Sequence, residues 1–375
     1  MEDKLNENLK KILVKKVKAI EVKKGKSISQ LLFEMSNTGF QGKKLGKVVD
    51  VIERMINDEN LTIMMGYAGS LSTTGQWKII NWLMENNFID ILIPTGANIS
   101  EDILEAMGYS YWQGSHLVND EELLKANINR YYDVFGKEDE YMKMTELIAE
   151  FYISSLKEEH PYSSREILYL FRKWLKNKGI YSIVTTAYMQ NIPIFCPAIV
   201  DSPYGDAGLI AKSKGFNLII DNMKDYIEFM SLGEKVKETG VIYIGGGVPK
   251  DFIQLFAVTA DLLYTEREIP GREGKIFRGM KKVNKNGKID TIETYYPHKY
   301  AVQITTDAPQ WGGLSGCTFE EAISWGKEDK DGYLVQCYCD ATIALPIISH
   351  ALSERIKKKR KGRNLGEIFK DEGKE

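Results

Sequence analysis

From residue 61 onward the chain repeats one pattern: a short, nearly continuous apolar run that ends in small, hydroxyl or acidic residues, then a stretch of helical periodicity. The runs are LTIMMGYAG, IDILIPTGA, YSIVTTAY, IPIFCPAIVDS, NLIIDN, VIYIGGG, YAVQITTDA and YLVQCYCDAT. QWKIINWLMENN and SSREILYLFRKWLKNK are among the amphipathic stretches between them. Apolar strands alternating with helices predict an α/β fold with a doubly wound, mostly parallel sheet. In such a sheet the ligand lies beyond the carboxyl ends of the strands, where the winding reverses. The residues closing the runs are therefore the first candidates for a site: Gly66 to Ser70, Pro94 to Asn98, Asp201-Ser202, Gly245-Gly246-Gly247, Thr305-Thr306-Asp307 and Asp340-Ala341-Thr342.

The flanks differ. Residues 1–60 are basic and helical in period, and in KLGKVVDVIERMI the residues Leu45, Val48, Val49, Ile52 and Ile56 recur at helical spacing. They are expected to form a helical arm and a first packing helix, ahead of a catalytic domain over 61–355. Residues 264–299 interrupt that domain with a charged insertion, whose NKNGK suggests a hairpin turn. The basic run RIKKKRKGRN starts at Arg355 and continues into the tail 356–375; it is read as a solvated terminal segment in preference to a nucleic-acid contact.

Composition narrows the partners. A net charge of −2 over 375 residues gives no global attraction to nucleic acid or an anionic membrane. No apolar run approaches the roughly 20 residues that span a bilayer, and the amino terminus has no secretory core. Cys196, Cys317, Cys337 and Cys339 show no CxxC spacing, so a cytoplasmic protein with reduced thiols is expected. His116, His160, His298 and His350 lack metal-ligand spacing, and no metal is assigned.

Three groups could carry chemistry. GYAGSLSTTG at 66–75 and Gly245-Gly246-Gly247 could cradle a pyrophosphate, or could equally be tight turns. In Glu321-Ala322-Ile323-Ser324-Trp325-Gly326-Lys327 the glutamate and tryptophan share a helical face, and Gly326 frees the backbone to aim Lys327 elsewhere. A lysine held against an aromatic plane is partly desolvated, which favours the neutral, nucleophilic amine. The plain alternative is a surface lysine snorkelling over a core tryptophan. The third group is the strand-end carboxylates Glu101, Asp201, Asp206, Asp251, Asp307 and Asp340, which could hold a polycation or ribose hydroxyls, or could simply cap helices.

From Thr38-Gly39-Phe40-Gln41 to Asp340-Ala341-Thr342 these segments resemble the deoxyhypusine synthase family, most closely its bacterial and archaeal homospermidine synthase-type branch. The resemblance is most specific at Glu-Glu-Ala-Ile-Ser-Trp-Gly-Lys, residues 320–327. It implies that Lys327 forms the imine, Trp325 walls the substrate and Glu321 binds an amine. It also implies a Rossmann-like NAD site at Gly69, Ser70 and Leu71; at Thr95, Gly96, Ala97 and Glu101; at Asp201; at Gly246 and Gly247; at Thr306 and Asp307; and at Asp340 and Ala341, with Asp206 near the substrate amine. The implied chemistry is NAD-dependent transfer of an aminobutyl group from spermidine, or a related polyamine, to an acceptor amine through a lysine Schiff base. The implied assembly is a homotetramer with sites at the dimer interface.

Two departures bear on the substrate. Where the family has a histidine after the lysine of its glycine turn, Lys250 is followed by Asp251, a candidate for the proton-handling role. Where the family presents two aspartates that grip spermidine, Gln310-Trp311-Gly312-Gly313-Leu314-Ser315-Gly316 places Trp311 and Leu314, with Ser315 beside them. Three functions follow: transfer to a small diamine, modification of a lysine on a translation factor 5A precursor, or NAD binding without catalysis.

Overall fold

The computed structural model describes residues 13–236, 238–259, 278–283, 289–295, 297–314 and 317–369. Residues 13–26 are irregular rather than helical, because Leu13, Val14, Val17, Ile20 and Val22 are exposed and have no surface to pack on. Helix starts only at Ser27, which forms a capping box with Gln30 ahead of α1 (Ile28–Met35). The next helix, α2 (Phe40–Asn57), buries Val48, Val49, Ile52 and Ile56, as the spacing predicts.

Five strands form the central sheet. β1 (Leu61–Tyr67) leads through α3 (Trp77–Glu85) to β2 (Ile91–Pro94). A helical excursion follows, comprising α4 (Glu101–Ala106), α5 (Glu138–Ser155), α6 (Ser164–Asn177), α7 (Ile183–Met189) and α8 (Pro203–Ser213). The chain then returns as β3 (Glu238–Ile244), α9 (Gly247–Thr259), β4 (His298–Thr305), α10 (Phe319–Ser324), β5 (Glu328–Tyr338) and α11 (Ala341–Arg355).

The spatial order is β5-β4-β3-β1-β2, with every pair parallel. One further parallel bridge joins Leu92 to Ile194 outside β2. The chain therefore winds outward from β1 through β2 and restarts on the other side of β1 at β3. The switch point lies between the carboxyl ends of β1 and β3, where the Ala68 amide donates to the Ile244 carbonyl at 3.0 Å. Alternate strand residues feed two apolar cores: Ile63, Met65, Ile242 and Val302 pack in one, and Met64, Ile93, Val241 and Ala301 in the other.

Three apolar runs do not become central strands. YSIVTTAY forms α7, because Ser182 makes a capping box with Thr185 and the Asp102 carboxylate accepts the Ile183 amide. IPIFCPAIVDS contributes only the Ile194 bridge, since Pro193 and Pro197 remove ladder donors. NLIIDN pairs just Ile219–Ile220 with Pro161–Tyr162. In the insertion, Arg278–Val283 and Ile289–Tyr295 pair antiparallel, and the NKNGK turn lies outside the described residues.

The basic tail is anchored rather than wholly solvated. Arg360 is buried and bonds both oxygens of buried Asp90, at 2.9 and 2.8 Å, while Asp90 also accepts the Ile63 amide of β1 at 2.8 Å. No described helix is long and apolar enough to cross a membrane.

Candidate active site

The β1 and β2 ends are held by one buried amide. Asn98 accepts the Leu71 amide at 2.8 Å and donates to the Gly69 carbonyl at 2.9 Å and to Thr95 Oγ1 at 2.8 Å. Thr95 Oγ1 in turn donates to the Gly69 carbonyl at 2.8 Å. Gly69, Ser70, Leu71, Thr95, Gly96 and Ala97 thus form one cradle, organised by Asn98, which the sequence places among the residues closing the strands without giving it this role.

At Gly96 the backbone passes so close to Ser202 that a Cβ would sit 2.2 Å from the serine Oγ. Ser202 caps α8, and exposed Asp201 stands just before it. Glu101, buried at the start of α4, bonds the Ser70 hydroxyl. Burial pushes its carboxyl up to about 7, opposed by the Ser70 bond.

Across the switch point, Gly246 and Gly247 lead into α9, whose first turn offers amides towards the same edge. Thr306 and Asp307 follow β4, and a Cβ on Gly313 would meet the Asp307 carboxylate at 2.1 Å, so Asp307 supports the loop carrying Trp311 and Leu314. Asp340 caps α11, accepting the Thr342 amide and hydroxyl at 2.7 Å each, and Ala341 is the first helical residue.

The second half of the site is a cavity of about 290 Å³ lined by Gly247, Lys250, Asp251, Gln254, Leu314, Cys317, Glu321, Trp325 and Lys327. α10 ends at Ser324, and Gly326 adopts φ of +77°, a left-handed turn that a side chain would strain. That turn sends the Lys327 amide back to the Ala322 carbonyl and its ammonium into the cavity. There Lys327 Nζ lies 2.9 Å from Asp251 Oδ1 and 5.6 Å from the Trp325 ring centre. Only 12% of the Lys327 side chain is exposed, against 59% of Asp251.

Behind this pair lies a polar layer of which the sequence named only Lys250, as the lysine of the glycine turn. Lys250, 3% exposed, donates to Gln303 Oε1 at 2.8 Å and to the Cys317 carbonyl at 2.7 Å. Burial lowers its ammonium, opposed chiefly by Cys317 and Glu328. Gln336 Nε2 donates to the same Gln303 oxygen at 2.7 Å. Lys250 and Gln254 sit four residues apart on one face of α9, a spacing that could have flagged Gln254.

Other expected residues lie outside the cavity lining. Trp311 is 86% exposed on the loop, Asp206 is exposed on α8 towards Tyr141, and Ser315 falls outside the described residues. Among the described residues no group of histidine, cysteine or carboxylate side chains could hold a metal ion.

The model of the deoxyhypusine synthase family matches residues 30–352, which spans the whole sheet and both halves of the site. The chain belongs to the deoxyhypusine synthase family. It is similar to the "Probable deoxyhypusine synthase 2" of Methanosarcina mazei, 42% identical over 334 residues and covering 88% of each chain. It is also similar to a "Deoxyhypusine synthase-like protein" of Elusimicrobium minutum, at 34% identity over 93% of this chain and 86% of that one. The crystal structure of an Entamoeba histolytica protein provisionally assigned as a deoxyhypusine synthase shares the fold, with a TM-score of 0.56 at 19% identity, covering 92% of this chain and 98% of that one. As a deoxyhypusine synthase family member the chain is an enzyme of the aminobutyltransferase class.

Proposed function

We propose that this enzyme transfers an aminobutyl group from spermidine, or a related polyamine, to a small diamine through an imine on Lys327. The observation that carries the reading is the placement of the Lys327 amine, shielded and paired with Asp251, in a cavity that adjoins the glycine turn at the sheet's switch point.

The cradle of Gly69, Ser70, Leu71, Thr95, Gly96, Ala97 and Glu101, with Asp201, Gly246, Gly247, Thr306, Asp307, Asp340 and Ala341 around the same strand ends, fits a dinucleotide. The fit rests on the Asn98-held turns and the amides opening α9. NAD bound there supplies a hydride acceptor and donor for the carbon beside an amine. The chain's own residues do the rest. Asp251 takes the Lys327 proton so that the free amine can attack, and returns it when the acceptor displaces the lysine. Trp325 offers its face to the four-carbon fragment and a terminal cation, and Glu321 to an ammonium. Leu314 closes the cavity against water, which would hydrolyse the imine.

Trp311 and Leu314 are apolar where two carboxylates would grip a long amine, which favours a short diamine acceptor such as putrescine, giving homospermidine. The names of the archaeal relatives favour a second reading, with a lysine of a translation factor 5A precursor as acceptor. We carry over the family's tetramer, with sites at the dimer interface, and a place in the reducing cytoplasm, where the four free cysteines stay thiols. Incubating the protein with NAD, labelled spermidine and either putrescine or the factor separates the acceptors: label in putrescine supports the first reading, and label confined to the factor overturns it. Borohydride should trap an aminobutyl adduct on Lys327; bound NAD with no adduct would indicate a non-catalytic protein.

A further inference from the structure

The lysine cavity presents a charge problem. A polyamine cation must enter a space already walled by the ammonium groups of Lys250 and Lys327, with Asp251 and Glu321 as the carboxylates of its lining. One more carboxyl lies behind the wall. Glu328, the residue after Lys327 and the first of β5, is 1% exposed. Its Oε1 accepts a hydrogen bond from Gln254 Nε2 at 3.0 Å, and Gln254 itself lines the cavity. The other face of that amide accepts the Cys317 thiol at 3.5 Å. Glu328 Oε2 and the Tyr243 hydroxyl are both buried without a hydrogen bond of standard geometry, yet lie close enough to interact.

We propose that Glu328 is a positioning residue that acts as the internal counter-charge of the amine cavity, giving up its proton as a cationic amine enters and setting the cavity's preference for cations. This rests on the polyamine reading above.

The groups facing Glu328 from each neighbouring element are Gln254 and Lys250 of α9, Tyr243 of β3, and Lys327 at its own strand start. His298 pairs with it in register on β4, but the His298 ring is turned to Thr239 Oγ1 at 2.6 Å and the Ile253 carbonyl, and burial holds it neutral, down to about 4. Burial pushes Glu328 up to about 7, against the pull of Gln254, Lys250 and Lys327. Below about pH 7 the free protein thus holds, for the most part, a proton poised to leave when one more positive charge arrives, because the added Coulomb attraction favours the carboxylate. The released proton goes to solvent. The amide of Gln254, which lines the cavity, transmits the new charge by orienting towards it, so Glu328 acts on the amine without touching it, beside the direct contacts of Asp251 and Glu321.

The test is calorimetric titration of the full chain with spermidine at pH 6.5, with and without NAD, in buffers of different ionisation enthalpy. Roughly half a proton or more, up to about 0.8, should be released per amine bound. Glu328→Gln should abolish the release and weaken spermidine binding about tenfold, while Glu328→Asp keeps the release. Binding by the unaltered chain with no proton release overturns the inference and leaves the polyamine reading intact, and this outcome needs no variant to fold. Equal release by the unaltered chain and Glu328→Gln also overturns it. Absence of spermidine binding in every condition rejects both.

Discussion

Lys327 Nζ and Asp251 Oδ1 lie 2.9 Å apart although 76 positions separate them in the chain, one on the turn after α10 and the other on the first turns of α9. The pair puts a proton acceptor directly on the amine expected to become covalent. Asp251→Asn keeps the shape and removes the acceptor, so aminobutyl transfer should fall about 10²-fold, with spermidine binding little changed. Single-turnover assays that follow hydride transfer and label transfer separately check this; unchanged rates for both would remove Asp251 from the proton path.

Lys327→Ala removes the nucleophile while leaving the Gly326 turn and β5 in place. Transfer should drop ~10³-fold or more, and the borohydride adduct should disappear from the mass spectrum. Retained cofactor binding in the same variant would place the loss in the chemistry rather than the cradle.

Gly96→Ala drives a methyl into Ser202, whose Oγ would be 2.2 Å from the new carbon. A cost of about 1–3 kcal/mol in unfolding free energy is expected, together with weaker NAD binding. Pairing it with Ser202→Gly opens the space and should recover part of both losses, as denaturant titration and cofactor fluorescence would show.

Arg360→Ala removes the cation that pairs with buried Asp90 and leaves only the weaker pull of Arg363. Burial already raises the Asp90 carboxyl, with Arg360 as the main opposing influence. The variant should lose roughly 3–5 kcal/mol of stability. Chemical denaturation measures this, and a loss below 1 kcal/mol would mean that the tail is dispensable to the sheet.

Glu101 makes stability fall as pH rises. Its carboxyl is raised to about 7 by burial, so between the unfolded value near 4.5 and about 7 the folded chain binds more protons than the unfolded one. The favourable contribution is complete below about 4.5 and lost through 7, amounting to roughly 3 kcal/mol. Glu101→Gln should flatten that part of the slope, read as Tm across pH 5 to 8.

The sheet was largely legible because β1 to β4 are buried on both faces, which leaves apolar runs that need no further context. YSIVTTAY failed for a reason beyond any short window: the Asp102 carboxylate, 81 residues before Ile183, caps the helix it forms. Lys327, Trp325, Glu321, Asp251 and Leu314 were named from the sequence and meet in one cavity. Gln254, Gln303, Gln336 and Glu328 were not, because a polar side chain inside a strand or helix looks the same in sequence whether it faces water or a hidden network. Asp340 illustrates the converse, since its carboxylate is occupied in starting α11.

α9 begins at the glycine turn of the cradle and presents Lys250, Asp251 and Gln254 to the lysine cavity within its next two turns. A single rigid rod therefore spans both chambers. Divergence in amine choice can proceed by exchanging side chains along one stripe of that rod, with the glycine-turn end left unaltered, whereas any tilt of the rod would retune both chambers together.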